Sequence, residues 1–274
     1  MSSIPKEPHL KPFTVPEIKQ MKGKGKIASV TCYDASFARI IDRTPVQLVL
    51  VGDSAANVVY GHETTLPIGM DEMLMLTRAV AAGLKLPLLV ADMPFLSYQP
   101  SEATAITNAG LFLKAGAKAV KVEGGGPHIR LIIRKLVEIG IPVMGHLGLT
   151  PQSVHKLGGY KLQGSKDFSA KLMIEEAKQL EDAGCFSIVL EKIPMELAGA
   201  ITASVSVPTI GIGAGPACDG QILVLYDLLG LEPEFKPRFV RRYADLSPLI
   251  QEALERYSKD VFEGAFPSDD ESFS

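Results

Sequence analysis

Four acidic residues in this chain each follow a short, largely apolar run, at the point where a buried strand would end. The runs span residues 48–51, 88–91, 119–122 and 188–190, and the acids are Asp53, Asp92, Glu123 and Glu191. One acid after a strand is usually a helix cap. Four acids at the same end of four strands indicate one polar site, built where the strand ends converge.

The first two of these acids have the chemistry of a metal site. Asp53 and Asp92 would end neighbouring strands, and Mg²⁺ takes one or two protein carboxylates while it keeps several waters. The pair therefore predicts a Mg²⁺ site, although each acid could instead cap the helix that follows it. Ser54 either caps a loop or binds a substrate oxygen.

Lys121 and Glu123 are two residues apart on the fourth predicted strand, so their side chains point to the same face. A charged pair inside a barrel is costly unless it serves a site. In that interpretation Lys121 binds a substrate carboxylate. Glu123 is then a metal ligand or an acceptor for metal-bound water. A structural Lys–Glu ion pair is the alternative.

Glu191 ends the sixth predicted strand, roughly across a barrel from the second and third strands. That position suits a catalytic base acting on a substrate held at Asp53 and Asp92. The alternative is an acid at the start of a helix, since Pro194 and Glu196 follow. His146 ends the fifth strand, and we assign it only a contact with the substrate.

Eight strand candidates that mostly alternate with helices must position these residues. This pattern predicts an α/β fold, a (β/α)8 TIM barrel rather than a doubly wound sheet, whose site lies at the carboxyl ends of its strands. We expect residues 1–12 to form a flexible tail and residues 13–274 to form a single catalytic barrel domain. A short helix over residues 15–21 precedes the barrel, and an extra helix over residues 237–262 follows it.

Other segments around the site are also predicted from the sequence. They are a sixth strand over residues 187–191, an eighth strand over 222–226, and long loops over 55–67 and 147–166.

Composition excludes several classes of function. A net charge of −3 without a basic stripe gives no footprint for nucleic acid. No apolar run approaches the roughly 18 residues of a membrane span, and the first 13 residues lack the apolar core of a secretory signal. Cys32, Cys185 and Cys218 are widely spaced, which favours buried thiols in a reducing compartment. We therefore expect a cytoplasmic protein without nucleic-acid or membrane partners.

Several segments together resemble the ketopantoate hydroxymethyltransferase (3-methyl-2-oxobutanoate hydroxymethyltransferase) family. They are VGDS at 51–54, GHETTLP at 61–67, ADMPF at 91–95, VKVEGG at 120–125, GHLGLTPQS at 145–153, LE at 190–191, GIGAG at 211–215 and DGQILV at 219–224. The segment at 145–153 is the most specific of them. One departure is Ala55-Ala56-Asn57, where the family carries Leu-Gly after its Asp-Ser pair.

This resemblance implies a (β/α)8 barrel that binds Mg²⁺. It implies transfer of a one-carbon unit from 5,10-methylenetetrahydrofolate to α-ketoisovalerate, which gives ketopantoate for pantothenate and coenzyme A synthesis. By matching position, the metal residues are Asp53, Asp92 and Glu123, the keto-acid contacts are Asp53, Ser54, Asp92 and Lys121, and the catalytic base is Glu191. It also implies a homo-oligomer, a decamer in the family, and it leaves the residues of the folate pocket unidentified.

Three rival interpretations remain open at this point. Lys121 could form a Schiff base, as in metal-free aldolases. A Mg²⁺-dependent C–C lyase or mutase of the phosphoenolpyruvate mutase and isocitrate lyase type would use a similar keto-acid site without folate. A barrel that only binds a keto acid is the non-catalytic alternative, but such a protein has no reason to keep this costly polar interior.

Overall fold

A closed barrel of eight parallel strands forms the centre of the protein, so the predicted (β/α)8 TIM barrel is confirmed. The computed structural model describes residues 11–273. Each strand pairs with the next, and β8 closes the ring on β1. The strands are β1 Ile27–Thr31, β2 Leu48–Val51, β3 Leu88–Asp92, β4 Ala119–Lys121, β5 Val143–Gly148, β6 Ser187–Glu191, β7 Thr209–Ile212 and β8 Gly220–Leu223.

Helices connect most of these strands, and several begin at residues that the sequence marks as caps. Asp34 accepts hydrogen bonds from the first backbone amides of α2, and Ser101 does the same for α5. The helices around the barrel are α1 Val15–Gln20, α2 Ala35–Ile41, α3 Ala55–Val58, α4 Met70–Gly83, α5 Glu102–Lys114, α6 Pro127–Glu138, α7 Val154–Leu157, α8 Asp167–Asp182 and α9 Met195–Ser204.

The barrel interior is apolar near the amino ends of the strands. Ile27, Leu48 and Leu88, which begin three strands, belong to one buried cluster with Ile18 of the short helix α1. Burying such side chains contributes roughly 1.5–3 kcal/mol each. Helix α1 therefore helps to fill the amino end of the barrel, and the polar residues lie toward the opposite end.

The chain divides into two compact units, residues 1–224 and residues 225–274. The first unit carries the barrel. The second contains α10 Leu225–Leu229 and α11 Leu246–Phe262, and none of the 17 residues of α11 is buried. A single domain over residues 13–274 stays a prediction, and most of the tail assigned to residues 1–12 lies outside the described residues. Within residues 11–273, no helix has both the length and the apolar character needed to cross a bilayer.

Two predicted boundaries near the carboxyl terminus are wrong. The eighth strand was expected over residues 222–226, but β8 ends at Leu223 and Asp227 lies in α10. A continuous apolar run does not distinguish a strand from a helix, so the pattern could not locate this change. The last helix begins at Leu246 rather than at 237, because Arg242 organises the preceding segment by donating to the carbonyls of Glu232, Pro233 and Phe235.

Two loops that were expected to be irregular contain helical turns. The residues that depart from the family pattern form α3, in which Ala55 and Ala56 are fully buried. The long loop after β5 contains the 3₁₀ turn Pro151–Ser153 followed by α7. The first segment follows β2 and the second follows β5, so both lie at the carboxyl end of the barrel.

Candidate active site

Six ionisable side chains meet at the carboxyl ends of five consecutive strands, β2 to β6. They are Asp53, Asp92, Lys121, Glu123, His146 and Glu191. The barrel register brings neighbours level, since Asp92 pairs with Lys121 across β3 and β4. The first five are buried, while the Glu191 side chain is 19% exposed. Buried charges must pair or bind a ligand, so this cluster is the candidate active site.

The four acids do not serve as helix caps. The cap positions of α3, α5, α6 and α9 belong to Ser54, Ser101, Gly126 and Pro194. Ser54 makes no side-chain capping bond, and its hydroxyl lies 2.9 Å from the hydroxyl of Tyr33. The capping alternatives for the acids and for Ser54 are therefore wrong, and these side chains are available for other contacts.

Lys121 lies among the carboxylates of the cluster. Its Nζ is 2.8 Å from Oδ1 of Asp92 and 3.7 Å from Oε1 of Glu123, so the two side chains do share a face as expected. Burial opposes a charge on Lys121, but the carboxylates of Asp92, Glu123 and Asp53 outweigh burial and raise the pKa of Lys121 above its usual value. Lys121 is therefore a fixed positive charge at neutral pH.

His146 lies between two glutamates. Its Nδ1 is 3.3 Å from Oε1 of Glu123, and its Nε2 is 3.3 Å from Oε2 of Glu191. Burial and the nearby Lys121 charge lower the pKa of His146, but the two glutamates outweigh them and raise it to about 9. The two glutamates thus favour the protonated ring, while Nζ of Lys121, 3.3 Å from Nδ1, opposes it. Its position between the glutamates gives it a larger part in the site than the sequence indicated.

Glu123 is held as a carboxylate by these neighbours. Burial raises its pKa, but contact with His146 and the charge of Lys121 outweigh burial and lower the pKa below the usual value. Its Oε2 accepts a hydrogen bond of 3.0 Å from the backbone N–H of Gln152. Glu123 thus links the Lys121 side of the site to the His146 side.

Asp53 and Asp92 are adjacent but less well compensated. The backbone N–H of Asp53 donates to Oδ2 of Asp92 over 3.3 Å. Burial, followed by the negative charges of Asp92 and Glu123, raises the pKa of Asp53 well above its usual value. Burial also raises the pKa of Asp92, although Lys121 counters part of this effect. Two buried carboxyls of this kind become fully ionised when a cation approaches them.

A magnesium ion fits this donor set. Among residues 11–273, no group of three His, Cys, Asp or Glu side chains could hold a metal on its own. Mg²⁺ commonly uses one or two carboxylates and completes its shell with water and substrate oxygens. Asp53 and Asp92 match that requirement. Both oxygens of Glu123, the third predicted metal residue, face protein groups, namely the backbone N–H of Gln152 and the ring of His146.

Gln152 and Tyr98 are buried site residues that sequence reasoning missed. The Nε2 of Gln152 donates to Oδ2 of Asp53 and to the carbonyl of Met93, over 3.0 and 2.9 Å. The Tyr98 hydroxyl accepts from the backbone N–H of Glu123 over 3.0 Å. Gln152 lies in the specific segment at 145–153, which was a usable signal. Tyr98 had none, because it follows β3 by six residues in an irregular loop.

Comparisons with solved structures agree with the barrel. Phosphonopyruvate hydrolase superimposes with a TM-score of 0.61 at 12% identity, covering 96% of this chain and 92% of that chain. The 2,3-dimethylmalate lyase, a member of the PEP mutase/isocitrate lyase superfamily, gives 0.58 at 14% identity, covering 94% and 91%. At these identities the likeness shows the fold alone.

Sequence comparisons are far more specific. The 3-methyl-2-oxobutanoate hydroxymethyltransferase of Thermotoga neapolitana is 52% identical, covering 96% of this chain and 97% of that protein. The protein of the same name from Chlorobaculum tepidum is 50% identical, covering 98% of each. A profile of the ketopantoate hydroxymethyltransferase family matches residues 12–269. The chain belongs to the ketopantoate hydroxymethyltransferase family.

Proposed function

We propose that this protein transfers a hydroxymethyl group from 5,10-methylenetetrahydrofolate to α-ketoisovalerate and so produces ketopantoate for pantothenate and coenzyme A synthesis. The observation that carries the proposal is the convergence of Asp53, Asp92, Lys121, Glu123, His146 and Glu191 at one end of the barrel. Family membership supports the acceptor and the product. The folate donor is the part of the proposal that rests on family membership alone.

Asp53 and Asp92 are the residues that would hold Mg²⁺ in this proposal, with Glu123 beside them. When bound, a divalent cation polarises the ketone and stabilises the negative charge that develops on the keto oxygen. Asp53 and Asp92 lie next to each other, and of these two acids it is Asp92 that forms an ion pair with Lys121. The negative charge of Asp53 is therefore less compensated by the protein than that of Asp92, and a bound cation would stabilise it more.

Lys121 and Ser54 are the proposed contacts of the substrate oxygens. The ammonium group of Lys121 carries a fixed charge, which can neutralise the carboxylate of the keto acid. The Ser54 hydroxyl is oriented by Tyr33 and can bond to a substrate oxygen. These residues bind and orient the acid, which brings C3 toward the more exposed carboxylate of Glu191.

Glu191 is the proposed base that removes the proton on C3, next to the ketone. It is the least buried acid of the cluster, and the carboxylates of the buried acids are already engaged with Lys121, His146 and Gln152. The His146 ring beside it holds the carboxylate in place, with Nε2 at 3.3 Å from Oε2 of Glu191. A positioned general base of this kind contributes roughly 10²–10⁴-fold to the rate.

The structure argues against the Schiff-base alternative. A lysine must be neutral to attack a carbonyl, and neighbouring carboxylates keep Lys121 protonated. A lyase or mutase reaction is supported only by a shared fold at 12–14% identity, whereas the family relatives are 50–52% identical.

The three cysteines are unpaired and buried, which supports a reducing compartment such as the cytoplasm.

Proton–deuterium exchange at C3 of α-ketoisovalerate tests the proposal. The protein is incubated with the keto acid in D₂O without folate, with Mg²⁺ or with EDTA, and exchange is followed by NMR. We expect exchange that requires Mg²⁺ and ketopantoate formation once 5,10-methylenetetrahydrofolate is added. Exchange that survives EDTA would support a Lys121 Schiff base. Absence of both exchange and product formation would overturn the proposed function.

A further inference from the structure

The side-chain amide of Gln152 forms four hydrogen bonds inside the site. Its Nε2 donates to Oδ2 of Asp53 over 3.0 Å and to the carbonyl of Met93 over 2.9 Å. Its Oε1 accepts from the Tyr98 hydroxyl over 3.0 Å and from Nε2 of Gln99 over 3.1 Å. The residue is buried, so each of these bonds replaces one that water would otherwise make.

These partners fix the direction of the amide. The nitrogen faces a carboxylate and a carbonyl. A carbonyl cannot donate a hydrogen bond, and an ionised carboxylate cannot donate one either. The oxygen faces a hydroxyl and an amide nitrogen, which can donate to it. Rotating the amide by half a turn would set its oxygen against Asp53 and Met93. The group can therefore donate to Asp53 in one orientation only.

The backbone of Gln152 contacts a different acid from its side chain. Its N–H donates to Oε2 of Glu123, while its side chain donates to Asp53. A substitution of the side chain removes the bond to Asp53 and leaves an N–H in the backbone for Glu123. The two acids can thus be disturbed independently, which gives an unusually clean test of what the amide contributes.

We infer that Gln152 is a positioning residue that orients the Asp53 carboxylate for a divalent cation and the keto acid. This inference rests on the proposed function. The amide nitrogen donates to Oδ2 of Asp53 and also to the Met93 carbonyl, so Oδ2 is tied to the barrel. In this inference the other carboxylate oxygen, Oδ1, is the one that meets the ligand. Gln152 acts on the ligands through Asp53 and has no direct part in proton transfer.

The structure separates this role from that of the base. Glu191 contacts His146, and His146 contacts Glu123, so the chain of side chains that reaches the base does not pass through the Gln152 amide. Loss of the amide should therefore weaken binding and spare the chemical step. Residues that orient metal ligands typically change metal affinity by 10–100-fold when they are substituted.

Gln152→Met is the test variant, because methionine has nearly the same volume and no amide. Gln99→Met is the matched control, since Gln99 bonds to the same Gln152 oxygen but not to a carboxylate. Mn²⁺ binding is measured by electron paramagnetic resonance, with unfolding temperature in EDTA as the check of folding. C3 exchange of α-ketoisovalerate is measured at saturating Mg²⁺. A second variant, Gln152→Leu, replaces the first if that one does not fold.

For Gln152→Met we expect Mn²⁺ binding about 10–100-fold weaker than in the unsubstituted protein. We also expect a raised KM for the keto acid and a kcat for exchange within about threefold. The Gln99→Met control should bind Mn²⁺ normally. Normal Mn²⁺ binding in Gln152→Met, or a loss confined to kcat, would overturn the inference. If the unsubstituted protein neither binds Mn²⁺ nor supports exchange, the proposed function itself fails, and the inference fails with it.

Discussion

Replacing Gly148 by alanine should misplace the proposed base without touching its side chain. Gly148 ends β5 and lies level with Glu191 on β6. Its φ is +95°, in the left-handed region that disfavours residues with a Cβ. A Cβ there would lie only 2.2 Å from the carbonyl oxygen of Glu191 and 2.8 Å from Cγ2 of Ile193. The clash is with backbone, so no rotamer change can relieve it.

The magnitude follows from these distances. An ordinary contact begins near 3.4 Å, so the Glu191 carbonyl and the new methyl must separate by about 1.2 Å. A 1 Å misplacement of a reacting group costs about 10²-fold in rate, which corresponds to roughly 2.7 kcal/mol of activation free energy. The left-handed backbone adds about 1–2 kcal/mol to the loss of folding stability.

Gly140→Ala is the matched control for this substitution. Gly140 also has a left-handed φ, +89°, but a Cβ there meets no atom within 4 Å. In urea unfolding, Gly140→Ala should lose only the share of stability that comes from the left-handed backbone, and Gly148→Ala should lose more because of its clash. Only Gly148→Ala should lose about 10²-fold in C3 exchange. Exchange at the normal rate in folded Gly148→Ala, or an equal loss in both variants, would refute the argument that the β5–β6 register positions Glu191.

Three further substitutions test other parts of the site and fold. Glu191→Gln should spare Mn²⁺ and keto-acid binding but slow C3 exchange by about 10²–10⁴-fold; normal exchange would exclude Glu191 as the base. Asp53→Ala should weaken Mn²⁺ and keto-acid binding together in a titration of each ligand, and a loss of only one would contradict a shared site. Asp219→Asn should destabilise the protein by about 1–3 kcal/mol in urea unfolding at neutral pH, because Asp219 accepts from Lys22 and from the backbone amides of Gly23 and Thr209. These bonds outweigh burial and lower the pKa of Asp219, so the stability difference should shrink as the pH falls below the usual aspartate range; a constant difference would argue against an ionic role.

Much of the fold was predictable because its strands are short and buried on both faces. Such strands appear as apolar runs that end at turns, and β6 was predicted with the correct bounds at both ends. The errors lie where the apolar character continues across a boundary. Residues 222–229 are largely apolar through both the end of β8 and the whole of α10, so only the closure of the barrel decides where the strand stops.

The candidate site was predictable to the extent that strand ends determine it. Asp53, Asp92, Glu123 and Glu191 gather because parallel strands bring their carboxyl ends to one side of a barrel. Gln152 escaped prediction because its role depends on a 3₁₀ turn that returns it to Asp53, 99 residues earlier in the chain. Long-range contacts of this kind leave no periodicity in the sequence.

The charges of the site account for its need of a ligand. The cluster contains four acidic and two basic side chains, so it carries a net charge of −2 when all six are ionised. The acids are Asp53, Asp92, Glu123 and Glu191, and the bases are Lys121 and His146. Lys121 pairs with Asp92 and His146 lies between the two glutamates, whereas the Asp53 carboxylate accepts from the amide of Gln152. A buried carboxylate in that position is expensive to maintain without a cation. The fold therefore bears a local free-energy cost that a divalent cation would offset, and that cost is concentrated at the residue that Gln152 orients.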